Sequence, residues 1–184
     1  EFESDSRFQF IRWSPNRGVS EATRFLMQQA KGEFWCNPGA DDLLHPDFVK
    51  ARLRVMREHP ELSVVFGRGG QIDEKGEQVW LQSTREAFDA WDRLDGVVLA
   101  GGQMLERLLQ GSQINTTSVM ARSAATLSHL LRSFYDWRFS QDWFYWLLLA
   151  GAGCRFAYDK TVLHDYRVHQ DQLTRRDDLL AVRV

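Results

Sequence analysis

The stretch "EFWCNPGADDLLHPDFVKARLRVM", residues 33–56, places two adjacent aspartates in a turn between an aromatic strand and a helix. "EFWCN" has the composition of a short strand, and "NPGADD" has the residues typical of turns. The residues after Pro46 predict an amphipathic helix, because apolar side chains recur at helical spacing. These side chains are Phe48, Val49, Leu53 and Met56. The stretch therefore predicts one strand, turn and helix unit of an α/β protein.

Similar units continue on both sides of this stretch. Period-two or β-rich runs alternate with helical runs, which favours an α/β layered domain with a mostly parallel sheet. A hairpin is predicted at "QIDEKGEQVWL", around Gly76, and a break between two helical pieces at "DGVVLAGGQ". The helix "SEATRFLMQQAKG" begins with a capping serine, Ser20. The other predicted strands are "RFQFIRW" (7–13), "LSVVFGRGG" (62–70), "INTTSVMA" (114–121), "CRFAYD" (154–159) and "TVLHDYRVH" (161–169).

Length and composition fit one globular domain over residues 1–184. The chain has 184 residues, of which 43% are hydrophobic, and this is enough to bury one substantial core. The formal net charge is -2, with basic and acidic residues interspersed, so no long-range field attracts nucleic acid. The apolar run from Trp143 to Gly153 is shorter than the roughly 20 residues that span a bilayer. Cys36 and Cys154 lack zinc-site spacing, and we expect reduced thiols.

The same residues, taken in order, resemble the family-2 glycosyltransferases, which are nucleotide-sugar-dependent enzymes of the GT-A fold. The likeness runs from about Phe8 to Thr174, and the order of the pieces makes it specific. The matching pieces are Asn16, Gly18, Ser20 and Ala22; Ala30, Gly32 and Glu33; "GADD"; "VVFGRGGQIDEKGE"; "INTTSVMARSAA"; "QDWFYWLLLAGAGCRFAYD"; and "YRVH".

The resemblance implies a GT-A-like layered α/β/α sandwich with a mostly parallel central sheet, incomplete at its N-terminal side. Family members open with a strand, helix and strand that bind the nucleotide base, and this chain is expected to start after that unit. Gly39 stands where the family has an aspartate, and Arg24 where it has an asparagine. An incomplete sheet exposes an edge and apolar surface, so we predict pairing with another copy or a missing chain segment.

The resemblance also assigns the metal and the base. It implies that Asp41 and His169 hold Mg²⁺ or Mn²⁺, and that Asp142, at the head of a helix, is the catalytic base. Each residue has a purely structural alternative. Asp142 could complement the helix dipole, and His169 could be a surface residue or a hydrogen-bonded one.

Three residues are expected to contact the substrate if the resemblance holds. Asn16 would lie near the sugar nucleotide, Asp42 near the sugar or the metal, and Arg167 near the diphosphate. Asn16 could instead belong to a strand-to-helix connection, and Asp42 could cap the helix that follows Pro46 or accept hydrogen bonds from backbone amides of the turn.

The implied activity is transfer of a sugar from a nucleotide diphosphate sugar to a glycan or polysaccharide acceptor, with inversion by a single displacement. The acceptor would be a glycan or lipid-linked molecule, in the cytoplasm at the inner membrane face, with peripheral membrane association. A second hypothesis is a non-catalytic transferase-like module for binding or assembly, favoured by Gly39 and by the expected absence of the opening unit. A nucleotidyltransferase would need a glycine-rich phosphate loop near the start, where the sequence has none.

Overall fold

The structure is a computed structural model that describes residues 4–79, 88–132, 141–170 and 172. Helices and strands alternate along these residues, as predicted. The helices are α1 (Val19–Gln29), α2 (Phe48–Glu58), α3 (Gly101–Leu108), α4 (Ser123–Arg132) and α5 (Gln141–Gly151), with a further helical stretch at 88–92. The strands are β1 (Phe34–Trp35), β2 (Leu43–Leu44), β3 (Val64–Gly67), β4 (Gly70–Ile72), β5 (Val98–Leu99), β6 (Met120–Arg122), β7 (Phe156–Asp159) and β8 (His164–Arg167).

The central sheet contains five strands in the order β1-β6-β3-β7-β5. Strands β3 and β7 pair in parallel, from Val64 opposite Phe156 to Gly67 opposite Asp159. Strand β1 points the same way, because β1 and β3 both pair antiparallel with β6. Strand β5 pairs antiparallel with β7. Most strands of this sheet therefore run in one direction, as predicted, while β6 and β5 run against them.

Helices cover both faces of the central sheet. Successive strand residues point to opposite faces. Phe66 and Phe156 belong to the apolar cluster that contains Trp146 of α5. Val65 and Ala157, which lies opposite it in β7, belong to a second cluster, which contains Met56 of α2. The two clusters make three layers, and this confirms the layered α/β architecture.

The predicted strand at residues 7–13 is wrong. Residues 8–13 have no regular secondary structure. A strand needs backbone partners, and among the described residues none pairs with this segment. Its aromatic residues pack locally instead: Phe8 stacks on Phe10 with ring centroids 6.4 Å apart, and Trp13 meets Phe25 of α1 at 5.4 Å.

The start of α1 also differs from the prediction. The helix begins at Val19, and Gly18 is the N-cap residue, with a φ of 85° that favours glycine. Ser20 therefore lies inside the first turn and is not the cap. Its hydroxyl contacts Oε1 of Gln141, so it links α1 to the first turn of α5.

Apolar surface is exposed around the first described residues and α1. The side chain of Phe10 is 71% exposed, and Phe8, Ile11 and Leu26 are exposed as well. This agrees with the expectation of uncovered apolar surface. Pairing with another chain or copy stays a prediction.

Helix α5 carries the longest apolar run and lies in the core. Trp146 and Leu149 are fully buried there, with side chains of α3 and α4 around them. Over the described ranges, no helix combines the length and the apolar character needed to cross a membrane. The apolar run therefore serves the packing of this domain, as its length predicted.

The two cysteines are free thiols, as expected from their spacing. Cys154 is buried, and Cys36 is partly buried at the end of β1. Burial raises the pKa of Cys36 to about 11, so this thiol is protonated at neutral pH.

Gly101 allows α3 to approach the C-terminal end of α5. A Cβ at residue 101 would lie 2.4 Å from the carbonyl oxygen of Ala150 and 2.8 Å from Cα of Gly153. Both are backbone atoms, so they cannot rotate away. We expect Gly101→Ala to lower the free energy of unfolding by about 1–3 kcal/mol, which a urea titration would measure.

Gly102→Ala is the matched control, because a Cβ there faces open space within the same helix. We expect it to raise the free energy of unfolding by up to about 1 kcal/mol. Equal stability of the two variants would contradict close packing at Gly101.

Candidate active site

Pairing of β2 with β8 brings the turn that contains Asp41 and Asp42, the aspartate turn, close to the last residues that the structure describes. The two strands are antiparallel, with Leu43 opposite Asp165 and Leu44 opposite His164. In such a pair, residues just before Leu43 meet residues just after Asp165. The register therefore places the aspartates of the turn beside the "YRVH" segment, more than a hundred residues away in sequence.

Asp41 and His169 are in direct contact. Oδ2 of Asp41 lies 2.9 Å from Nε2 of His169. The Asp41 side chain is 51% exposed and that of His169 is 22% exposed. The pair is therefore accessible to a ligand from solvent.

Asp42 points inward and is held on both carboxylate oxygens. Its Oδ2 accepts a hydrogen bond from the hydroxyl of Thr117, and its Oδ1 accepts one from the backbone N–H of Arg167 at 2.9 Å. Burial raises the pKa of Asp42, while these two hydrogen bonds act in the opposite direction. Helix capping by Asp42, one of its two structural alternatives, is not found, because the N-cap residue of α2 is Asp47. The amide that Asp42 accepts belongs to Arg167 and not to its own turn.

The guanidinium of Arg167 contacts backbone carbonyls. Its Nε donates to the carbonyl of Asp41 at 2.8 Å, and its Nη1 donates to the carbonyl of Asp73 at 2.7 Å. Asp73 begins the turn of the predicted hairpin, in which Val79 N–H bonds to the carbonyl of Gln71 at 2.8 Å. Arg167 thus ties the aspartate turn to the hairpin, and its role at a diphosphate stays a prediction.

Asp142 lies in the first turn of α5, as the sequence predicted. Its Oδ1 accepts the backbone N–H of Trp143 at 2.8 Å, and its Oδ2 accepts the hydroxyl of Thr116 at 3.4 Å. Burial raises the pKa of Asp142, and these hydrogen bonds offset only part of the effect. A carboxylate with a raised pKa is suited to accept a proton.

Asn16 lies at the start of α1, where its side chain closes a local turn. Its Oδ1 accepts the backbone N–H of Gly18 at 2.8 Å, which agrees with the turn interpretation. Among the described residues, no hydrogen bond joins Asn16 to the aspartate turn. The link from this region to the rest of the site runs through Ser20 and Gln141, next to Asp142.

The segment at residues 115–118 joins the two parts of the site, and the sequence analysis did not predict it. Residues 114–121 were predicted as one strand, but the side chain of Asn115 accepts the N–H of Thr117 at 2.9 Å and folds Thr116–Ser118 into a 3₁₀ turn. Thr116 faces Asp142, and Thr117 faces Asp42. An asparagine followed by hydroxyl residues is a known turn signal, and "NTTS" would have indicated this turn.

The donor set of Asp41 and His169 fits a divalent cation. Mg²⁺ is usually held by one or two carboxylates together with phosphate oxygens of the substrate, and imidazole nitrogen is a frequent metal ligand. Within the described part of the chain there is no cluster of three or more such residues. A cation held by two protein ligands would take its other ligands from a bound substrate and from water.

The chain is similar to known proteins in both sequence and structure. The sequence profile of glycosyl transferase family 2 matches residues 1–167. No match was found among curated proteins. Solved structures of S. aureus TarS, residues 1–349, share the fold: the complex with UDP-GlcNAc has a TM-score of 0.57 at 13% identity, over 84% of this chain and 40% of that chain.

Two further TarS structures agree with the first. The complex with UDP has a TM-score of 0.55 at 14% identity, over 83% of this chain and 41% of that chain. The protein without ligand has a TM-score of 0.56 at 12% identity, over 82% and 40% of the two chains. The chain thus spans about 40% of the length of the TarS structures that it matches. The match to the family covers most of the chain, and the chain belongs to glycosyl transferase family 2.

Proposed function

We propose that this domain transfers a sugar from a nucleotide diphosphate sugar, with a divalent cation at Asp41 and His169 and with Asp142 as the base. One observation carries the proposal. Two adjacent hydroxyls, of Thr116 and Thr117, contact Asp142 and Asp42 of the aspartate turn, and this supports a single site for the base and the cation pair. The TarS structure with UDP-GlcNAc supports a nucleotide sugar as the donor class.

Asp41 and His169 would hold Mg²⁺ or Mn²⁺ beside the diphosphate of the donor. When bound, the cation offsets the negative charge that develops on the departing diphosphate. Arg167 would support this arrangement, because its guanidinium bonds to the carbonyl of Asp41 and would place a positive charge near the phosphates of a bound donor.

Asp142 would take the proton from an acceptor hydroxyl. As that oxygen bonds to the anomeric carbon, the bond from this carbon to the diphosphate oxygen breaks, and the configuration inverts in one displacement. The raised pKa of Asp142 makes the carboxylate a stronger base than an exposed aspartate. We propose a glycan, a polysaccharide or a lipid-linked molecule as the acceptor, reached in the cytoplasm at the inner membrane face.

The second candidate is a transferase-like module that binds or assembles without catalysis. Gly39 favours it, because the aspartate turn has a glycine in place of the carboxylate that the family resemblance leads one to expect. Such a module need not bind a nucleotide in a metal-dependent way. Nucleotide binding with and without metal therefore separates the two candidates.

Calorimetric titration of uridine diphosphate into the chain, with and without Mn²⁺, tests the proposal. We expect binding that depends on Mn²⁺ and that weakens by at least about tenfold in Asp41→Ala, since even residues that only support metal ligands have effects of about 10–100-fold. Asp47→Ala, an exposed aspartate at the start of α2, is the control and should bind like the wild type. Absence of nucleotide binding in the wild type would contradict the transferase proposal and favour the module.

A further inference from the structure

The aspartate turn has no space for a side chain at position 39. A Cβ built on Gly39 would lie 2.7 Å from Oδ2 of Asp42 and 3.2 Å from Oδ1 of Asp41. Gly39 is not among the glycines with a positive φ, so its backbone angle alone does not require glycine. What requires glycine is the position of the Asp42 carboxylate, which occupies the space next to Cα.

Thr117 holds the Asp42 carboxylate in that space. Its hydroxyl oxygen accepts the backbone N–H of Gly39 at 2.9 Å, and the hydroxyl donates to Oδ2 of Asp42. The Thr117 side chain is buried, so water competes little for these bonds. The backbone N–H of Arg167 binds the other oxygen of Asp42.

These contacts form a closed unit around Asp41. The Thr117 hydroxyl fixes the backbone of residue 39. The same hydroxyl and the backbone N–H of Arg167 fix the carboxylate of residue 42. The Asp41 carbonyl is also bound by the guanidinium of Arg167. The side chain of Asp41 is left to face His169 at 2.9 Å.

We propose that Gly39, Thr117 and Asp42 form a positioning unit that aims the Asp41 carboxylate at His169. The inference rests on the proposed function for its consequence, since Asp41 and His169 are the proposed cation ligands. Asp42 then affects donor binding through Asp41 and not through a contact of its own. The geometry of this turn accordingly requires glycine at position 39, and the glycine does not mark a site that has lost its function.

The first test needs no metal. Histidine ring signals in ¹H–¹⁵N spectra report the contact of His169 with Asp41, and His59, which contacts Glu61 elsewhere on the surface, is a control within the same spectrum. We expect Thr117→Val and Gly39→Ala to shift the His169 signals and leave those of His59 unchanged. Thr117→Ser keeps the hydroxyl and should leave both unchanged.

The second test is the affinity for Mn²⁺, followed by electron paramagnetic resonance. We expect Thr117→Val and Gly39→Ala to weaken Mn²⁺ binding by about 10–100-fold, as other residues that support metal ligands do, and Thr117→Ser to restore most of the affinity. Gly102→Ala, whose Cβ faces open space in α3, controls for the glycine change. Thermal melting confirms that each variant is folded.

Each outcome decides the inference. Unshifted His169 signals in a folded Thr117→Val or Gly39→Ala variant would overturn it, as would equal losses in Thr117→Val and Thr117→Ser. If Thr117→Val fails to fold, Gly39→Ala and Thr117→Ser carry the same comparison. If the wild type binds no Mn²⁺, the proposed function fails, while the His169 spectra still decide whether the unit positions Asp41.

Discussion

Asp142→Asn is expected to lower the rate of sugar transfer by about 10²–10⁴-fold, which is the usual contribution of a positioned general base. Asparagine can accept the N–H of Trp143 as the aspartate does, so the start of α5 should be preserved. It cannot accept a proton from the acceptor. Release of the nucleoside diphosphate from a nucleotide diphosphate sugar that the wild type uses, in the presence of Mn²⁺, would measure the loss. Mn²⁺-dependent binding of uridine diphosphate should match that of the wild type. A variant that keeps more than about a tenth of the rate would contradict the assignment of Asp142 as the base.

The pH dependence of transfer gives a second measure of the same residue. Because burial raises the pKa of Asp142, the rate should fall on the acid side at a pH above the ordinary aspartate range. The acid limb should disappear from the residual rate of Asp142→Asn.

Stability should change in the opposite direction to activity. The folded protein has the higher pKa, so the ionised carboxylate costs folding free energy at pH 7, and this cost vanishes below the ordinary aspartate pKa, where the group is neutral in both states. Asp142→Asn should therefore melt at a higher temperature than the wild type at pH 7, and equally at low pH. Asp95→Asn is the control with the opposite sign. A hydrogen bond from the backbone N–H of Lys160 lowers the pKa of Asp95, so removal of the Asp95 charge should reduce the stability of the protein at pH 7.

Patterns within single elements predicted much of this fold. Hydrophobic spacing located α1 and α2, the continuous apolar run after Asp142 located α5, and the buried runs located β3 and β7. The hairpin around Gly76 was also predicted, and its φ of 87° explains the glycine. These features depend on neighbours in sequence, so a local pattern contains them.

Features that depend on distant partners were missed. The alternation at residues 7–13 indicated a strand, but strands form only where another strand offers a ladder. The 3₁₀ turn of Thr116–Ser118 was missed because the β-rich composition of residues 114–121 hid the turn signal at Asn115. The direction of β6 and β5 depends on the connections between elements, and no local pattern encodes it.

In the candidate site, too, the contacts between residues that are distant in sequence could not be predicted from local patterns. The approach of Asp41 to His169 was expected only through the family resemblance, because 128 residues separate them. The threonines that join the two parts of the site carry no charge and no metal-ligand spacing. A search for ionisable residues alone therefore passes over Thr116 and Thr117.

Arg52 is the clearest failure of the hydrophobic pattern. The predicted apolar face of α2 included Val49, yet Val49 is 53% exposed and Arg52 is fully buried. Positions 48, 52 and 56 share one helix face at a spacing of four, and the middle one is a charged residue. Its Nη1 donates to Oδ2 of Asp159 at 2.8 Å, and its Nε donates to the carbonyl of Ser118 at 3.2 Å.

Arg52→Met should be among the most destabilising single changes in the chain. It leaves the largely buried carboxylate of Asp159 without its cation, and breaking a buried pair in this way costs about 3–5 kcal/mol. A domain has about 5–15 kcal/mol of stability, so the variant would lose a large part of it. The midpoint of urea denaturation would measure the loss.

The double variant Arg52→Met with Asp159→Asn separates the lost pairing from the lost packing. Because both charges are removed, its free energy of unfolding should exceed that of Arg52→Met alone, even though it carries one more substitution. The double variant should therefore fold. It should still bind Mn²⁺ more weakly than the wild type, because Arg52 also supports the turn that carries Thr117 by donating to the carbonyl of Ser118. A double variant less stable than Arg52→Met would show that the charge of Asp159 is not the cause, and that the packing of the long Arg52 side chain over Phe48 dominates instead.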